Sequence, residues 1–239
     1  MNAVLHRDTE VRDLGLIDYQ KAWDYQLDLF NSILQTKKEN RSLSSTDQLQ
    51  TNNYLLFCEH PSVFTLGKSG EEKNLLISKS KLASLGASFI HTTRGGDITF
   101  HGPGQLVVYP VIDLENFFTD IHRYMRLLEE SVILTLAHFS IQGGRIPGLT
   151  GVWVDSKNPK AARKICAMGV KTSRWVTMHG LALNVSTDLR FFDSIVPCGI
   201  SDKAVTSIEK ELGQPQDPDE VKRVLRDSLA SVFEMKLVA

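Results

Sequence analysis

Apolar residues recur at helical spacing over residues 18–38, where Tyr19, Ala22, Trp23, Leu27, Phe30, Ile33 and Leu34 share a face and Lys37 and Lys38 close the run. This predicts an amphipathic helix with cations at the end its dipole favours. A broader face covers 120–139, through Ile121, Tyr124, Met125, Leu128, Val132, Ile133, Leu136 and Phe139, and predicts the best-defined helix of the chain. A short helix is expected at 78–85, with Ser78 as cap and Gly86 as stop. Two more are expected at 202–213 and 218–235, separated by Gly213, Pro215 and Pro218. Continuous apolar runs at 54–58 and 106–111 have the length of buried strands. Strand-like segments also stand at 63–67, 87–91, 151–155, 164–172 and 177–185. Residues 40–53 are polar and read either as a loop or as the end of the first helix, and Gly143-Gly144 breaks the pattern after the second long helix.

The resulting order is helix, strands, helix, strands, helices. It predicts an α+β or mixed α/β fold, with strands in clusters and no regular βαβ alternation. No repeat or low-complexity segment interrupts the chain, so residues 1–239 are expected to form a single domain, within which 186–239 forms a possible small C-terminal helical subdomain.

Composition narrows the partners. A 42% hydrophobic content supplies a sizeable core, and a net charge of −1 argues against a general nucleic-acid binder. The three cysteines, Cys58, Cys166 and Cys198, are odd in number and widely spaced. This favours a reducing compartment over a disulfide framework and shows no metal-ligand spacing. Residues 1–8 lack the apolar run of a signal peptide, and no apolar stretch is long enough for a bilayer. The expectation is a cytoplasmic protein with no membrane partner.

Between two strand-like segments lies Arg94-Gly95-Gly96-Asp97-Ile98-Thr99-Phe100-His101-Gly102-Pro103-Gly104-Gln105, with four glycines and a proline in twelve residues. Glycine permits left-handed backbone and close approach of another molecule, so the stretch reads either as the wall of a ligand pocket or as a hairpin with generous turns. Cys198 sits between Pro197 and Gly199 on an expected fixed turn. A thiol there is a nucleophile if a positive charge stabilises its thiolate, and otherwise a small buried hydrophobe. Lys164 opens a strand inside a run, 156–187, that contains no acidic residue. There Lys157, Lys160, Arg163, Lys164, Lys171 and Arg174 supply six cations, which suit either an acidic partner protein or a solvated face. His101 and His179 each precede a glycine in apolar surroundings, as pocket-wall groups or as satisfied core histidines. No Walker sequence and no GxGxxG is present, so phosphate cradling has no support.

Taken together, four segments in order resemble one family. They are 94–105, the run Lys164-Ile165-Cys166-Ala167-Met168-Gly169, the run Met178-His179-Gly180-Leu181-Ala182-Leu183-Asn184, and Pro197-Cys198-Gly199. The family is that of the octanoyl-[acyl-carrier-protein]:protein N-octanoyltransferases, or lipoyl(octanoyl) transferases. The resemblance spans about 54–211. It implies transfer of an octanoyl chain from octanoyl-acyl carrier protein to the ε-amino group of one lysine on lipoyl domains of 2-oxoacid dehydrogenases or on the glycine cleavage H protein. It implies the fold of the biotin and lipoate protein ligases, a mixed sheet flanked by helices with a smaller C-terminal part. Cys198 resembles the nucleophile that carries the acyl thioester, and Lys164 its partner. Arg94, Gly95, Gly96, Asp97, Ile98, Thr99, Phe100 and His101, then Ala167, Met168 and Gly169, then Gly180, Leu181 and Ala182, resemble the acyl-site wall. No cofactor and no metal are implied.

Rival readings are an ATP-dependent lipoate or biotin ligase, an amidotransferase between lipoyl domains, a cysteine hydrolase, and a non-catalytic module that binds acyl carrier protein or lipoyl domains. The paired Cys198 and Lys164 favour the transferase, since adenylation needs no cysteine and a binder needs neither.

Overall fold

A computed structural model describes residues 6–196 and 204–238. The chain opens with β1 (Asp8–Leu16), α1 (Tyr19–Asn40), β2 (Tyr54–Glu59) and β3 (Val63–Leu66). Next come α2 (Lys79–Ser84), β4 (Ser88–His91), β5 (Ile98–His101), β6 (Gln105–Val111) and α3 (Ile121–His138). The second half holds β7 (Gly143–Ile146), β8 (Leu149–Val154), β9 (Arg163–Ser173), β10 (Val176–Asn184) and β11 (Ala204–Val205). It closes with α4 (Ile208–Leu212), α5 (Pro218–Phe233) and β12 (Lys236–Val238).

The long helices begin where side-chain oxygens satisfy their first amides. Asp18 accepts from Lys21 N, Asp120 from His122 N and Arg123 N, and Asp217 from Asp219 N ahead of a Pro at N1. Among the described residues, nine strands form the larger sheet, in the order β12-β1-β2-β6-β10-β9-β8-β7 with β11 beside β9. The β12–β1, β1–β2 and β11–β9 pairs are parallel, and the other pairs are antiparallel. Helix α1 is the crossover between parallel β1 and β2. It covers one face of the sheet with Ala22, Phe30 and Ile33 against Leu56, Val107, Tyr109 and Met178. Helices α3 and α5 cover the other, with Leu128, Val132, Leu225 and Leu229 against Leu55, Phe57 and Val108. Strands β2 and β6 are buried on both sides, which explains their unbroken apolar runs. A three-stranded sheet, β4-β3-β5, stands beside the larger one over its own cluster of Phe64, Leu66, Leu82, Ile98, Phe100 and Ile195.

Several elements differ from the sequence pattern. The 202–213 helix is only α4, capped by Ser207 and stopped by left-handed Gly213, with a strand directly before it. The segment after Gly143 is strand β7 rather than a break, with Gly143 tucked against Leu136. Strand β1 carries three apolar residues, Val11, Leu14 and Leu16, but of its nine residues only Thr9 is buried, so ladder bonds do much to hold it and no regular hydrophobic period announces it. The C-terminal residues do not stand apart: α5 shares the core of α3, and β12 extends the sheet at β1. Among the described residues no helix is long and apolar enough to cross a membrane.

Leu225 is fully buried in the core that α5 shares with α3. Leu225→Ala is expected to destabilise the protein by about 2–5 kcal/mol, read as a lower urea midpoint with an unchanged slope.

Candidate active site

The glycine-rich segment is fastened to both sheets. Gly95 N donates to Val170 O of β9 at 2.9 Å, and Lys68 N donates to Arg94 O at 3.0 Å. The buried Arg94 guanidinium donates to Thr65 O at 2.7 Å and Thr65 Oγ1 at 3.0 Å, which ties the loop to β3. The approach to β9 is close: a Cβ on Gly169 would stand 2.6 Å from Gly95 O, so no larger residue fits there unless the backbone moves.

Between this loop, β5 and the β9–β10 hairpin lies a cavity of about 440 Å³, within the range of small-molecule sites. Arg94, Gly95, Gly96, Asp97, Ile98, Thr99, His101, Lys164, Ala167, Met168, Gly169, Gly180, Leu181 and Ala182 all line it. Phe100 is not among the lining residues. It fills the core of the small sheet, stacked on Phe191 with centroids 4.4 Å apart. Cys198 lies outside the described residues. The residues on either side of its segment are bonded near the cavity. Val196 N donates to Asn74 O at 2.8 Å, and Asn74 Nδ2 to Asp97 Oδ2 at 2.7 Å. On the other side, Thr206 N donates to Lys164 O at 2.9 Å.

The structure adds lining residues that sequence reasoning did not place, Tyr19, Val107, Tyr109, Met125, Leu149, Thr150, Phe192 and Val205 among them, and it puts Gln105, His179 and Asn184 on the same wall. His179 carried a signal, a histidine before glycine in an apolar strand. Tyr19 and Met125 carried none, since each reads as one more position on a helix face.

Part of the lining is polar yet uncharged. His101 Nδ1 donates to Gln105 Oε1 at 2.8 Å, and Gln105 Nε2 donates to Asn184 Oδ1 at 2.8 Å. Asn184 Nδ2 continues to Thr206 O at 3.0 Å. His60 Nδ1 donates to Ile17 O, which leaves Nε2 to accept from Tyr109 Oη, both at 2.7 Å. Burial holds the His101 imidazole well below its ordinary pKa, with His60 and Arg94 adding to the shift. Burial pushes His179 down to about 3, helped by the positive charges of Arg94 and Lys171. Burial also raises Tyr19 to about 12. Neutral imidazoles and phenols are therefore the state of this wall near neutral pH.

His179 also has left-handed backbone (φ 60°) inside β10, and its N–H is taken by Gln26 Oε1 of α1 at 2.9 Å. Lys164 crosses the face of Trp153, with Nζ 4.7 Å from the ring centroid. Cys166 and Cys58 are buried away from the cavity lining, their thiols pushed up by desolvation. Three cations of the basic run are engaged separately: Arg163 pairs with Asp155 and Glu211, Lys164 lines the cavity, and Lys171 lies over Phe30.

The lipoyl protein ligase A/B catalytic domain model matches residues 18–230. The octanoyltransferase of Cytophaga hutchinsonii is 58% identical over 237 residues, covering 98% of this chain and 97% of its own. That of Flavobacterium johnsoniae is 54% identical, covering 98% and 100%. That of Bacteroides fragilis (strain YCH46) is 47% identical, covering 94% and 98%. Among solved structures, the bi-partite lipoate protein ligase of Thermoplasma acidophilum superposes with a TM-score of 0.67 at 16% identity, covering 98% of this chain and 88% of that one. A lipoate-protein ligase A bound with ATP gives 0.63 at 15% identity, covering 98% and 90%. At these identities the likeness is one of fold, and it is the mixed sheet with flanking helices that the sequence resemblance implied.

The buried histidines set a pH dependence of stability. An imidazole whose folded pKa lies below its unfolded value of about 6.5 binds protons preferentially in the unfolded chain as pH falls. Its contribution is therefore full above about pH 6.5 and declines by up to about 1.4 kcal/mol per pH unit below it. The urea midpoint is expected to drop between pH 7 and pH 5. His179→Asn, whose side chain tolerates left-handed backbone, is expected to show a smaller drop.

Proposed function

We propose, because this chain belongs to the lipoyl protein ligase A/B catalytic-domain family and its relatives bear the name octanoyltransferase, that it transfers an octanoyl chain between carrier proteins. The donor is octanoyl-acyl carrier protein. The acceptor is the ε-amino group of a lysine on a lipoyl domain or on the glycine cleavage H protein, and the enzyme acts beside these carriers in the cytoplasm. The observation that carries this reading is the gathering of Lys164 with thirteen of the fourteen wall residues around one cavity, beside the anchored ends of the segment that holds Cys198.

In the first half-reaction the Cys198 thiolate attacks the donor thioester carbonyl. A C–S bond to Cys198 forms, the bond to the carrier's sulfur breaks, and the leaving thiolate takes the proton of the Lys164 ammonium, which leaves Lys164 as a neutral amine. An ammonium at Lys164 favours the thiolate over the thiol. In the second half-reaction the acceptor amine attacks the acyl carbon, a C–N bond forms and the Cys198 C–S bond breaks. The amine's proton passes to Lys164 acting as general base. Exchange between thioesters is nearly neutral and formation of the amide is downhill, so no nucleotide enters the balance.

The cavity wall supports an aliphatic occupant. Met168, Leu181, Ala182 and Ile98 give apolar surface, and the polar groups beside them are largely hydrogen-bonded and neutral. Burying seven carbons beyond the carbonyl at about 0.8 kcal/mol each contributes about 6 kcal/mol to substrate binding.

Incubation with octanoyl-acyl carrier protein is expected to add one octanoyl mass to the intact protein. Hydroxylamine is expected to remove it, and a lipoyl domain to take it up without ATP. Cys198→Ser is expected to abolish the adduct. Absence of an adduct together with transfer from free octanoate and ATP would instead establish a ligase.

A further inference from the structure

Lys164 reaches the cavity through an irregularity in the sheet. Strands β8 and β9 pair Val152 with Cys166, then Trp153 with Lys164 and Val154 with Arg163. The ladder therefore passes over Ile165, and β9 carries one residue more than β8. Ile165 and Cys166, consecutive on the strand, are both fully buried in the same core cluster. Without this bulge Trp153 would oppose Ile165, and Lys164 would oppose Val154. With it, Lys164 becomes the cross-strand partner of Trp153, and bulges beside sites commonly re-aim a side chain in this way.

Three features shape the seat of that lysine. Trp153 is 1% exposed, so its ring is fixed by packing, and it presents its face to Lys164 Nζ at 4.7 Å. Gly151 has a φ of +113°, and a Cβ there would meet Cys166 O at 2.5 Å and Lys164 Cε at 3.6 Å. The alkyl stem of Lys164 thus runs past a position that has no side chain. Gly151 N is in turn held by Oε1 of Glu129, a fully buried carboxylate that also pairs with Arg126 and Arg145. Among the described residues no carboxylate pairs with Lys164, so the indole face is the group that meets its charge.

We infer that Trp153 is a positioning residue, whose ring face, brought opposite Lys164 by the β9 bulge, holds the ammonium at the cavity for acyl transfer. Trp153 does not line the cavity and acts only through Lys164. The inference rests on the role given to Lys164 above. An ammonium binds an indole face more strongly than a phenol or phenyl face, and an aliphatic side chain offers no quadrupole. The rate of thioester formation is therefore expected to follow Trp153, then Tyr, then Phe, then Leu.

The test is a double-mutant cycle on Trp153→Leu and Lys164→Met, reading the rate of octanoyl adduct formation on Cys198 by intact mass, with thermal melting on each variant. Trp153→Leu is expected to slow the adduct roughly tenfold when Lys164 is present and to add nothing in the Lys164→Met protein. Trp153→Tyr is expected to restore most of the rate. The donor concentration for half-maximal rate is expected to stay unchanged. Equal slowing in both backgrounds would mean a packing defect and overturn the inference. A wild-type rate in Trp153→Leu, with Lys164→Met slow, would overturn it while leaving the transferase reading intact. A wild-type rate in Lys164→Met would remove Lys164 from the mechanism and the inference with it. Should Trp153→Leu melt below the assay temperature, Trp153→Phe carries the same cycle. About threefold slowing with Lys164, and none without it, is then the supporting result, and the other outcomes count as above.

Discussion

The amide of Gly95 donates to the carbonyl of Val170, and around that bond the small sheet is fastened to the β9–β10 hairpin. Arg94 supplies the second fastening, at Thr65. Neither partner strand could build the cavity alone: the small sheet supplies Ile98, Thr99 and His101, the hairpin supplies Lys164, Ala167, Met168 and the residues around Gly180. Their separation is set by backbone-to-backbone contact rather than by side chains that could repack. That accounts for paired glycines on the two sides of the joint, since any Cβ at Gly169 would push the walls apart.

Charge is distributed in the cavity with the same economy. The histidines and tyrosines that reach the wall are buried enough to stay neutral, and two of them spend a proton on a buried acceptor, His101 on Gln105 and Tyr109 on His60. Lys164 is a cationic side chain at this wall, and it meets an aromatic face where many lysines meet a carboxylate. A carboxylate partner would neutralise that charge, whereas an indole face attracts it and leaves it uncancelled.

Much of the fold was legible because burial leaves a period. Helices α1, α3 and α5 showed their faces, and β2 and β6 showed unbroken apolar runs because both sides are covered. Strands β1 and β12 left no such trace: they are held at the sheet margin by ladder bonds, with few side chains in the core. The glycine-rich segment, the lysine run and the strand after it were readable as one constellation, and thirteen of the fourteen wall residues meet in the cavity. Phe100 reads equally well as wall or core, because an aromatic in a short strand gives no sign of which side its neighbours occupy. The β9 bulge was not legible at all. It is a mismatch between two strands, and neither strand alone encodes it.

Gln26 has a consequence for the rest of α1. A left-handed residue inside a strand turns its amide away from the ladder, and here the helix answers for the missing neighbour by offering Gln26 Oε1 to His179. The rotation of α1 about its own axis is thereby indexed to the cavity wall from within the helix as well as from Tyr19 at its start. The polar stretch that follows, up to the buried Thr51 and Asn53, meets the far end of the helix at Asp113, which takes both Lys37 and Thr51. Lengthening that stretch costs about 0.6 kcal/mol of closure entropy for each doubling, while the wall stays indexed by Gln26.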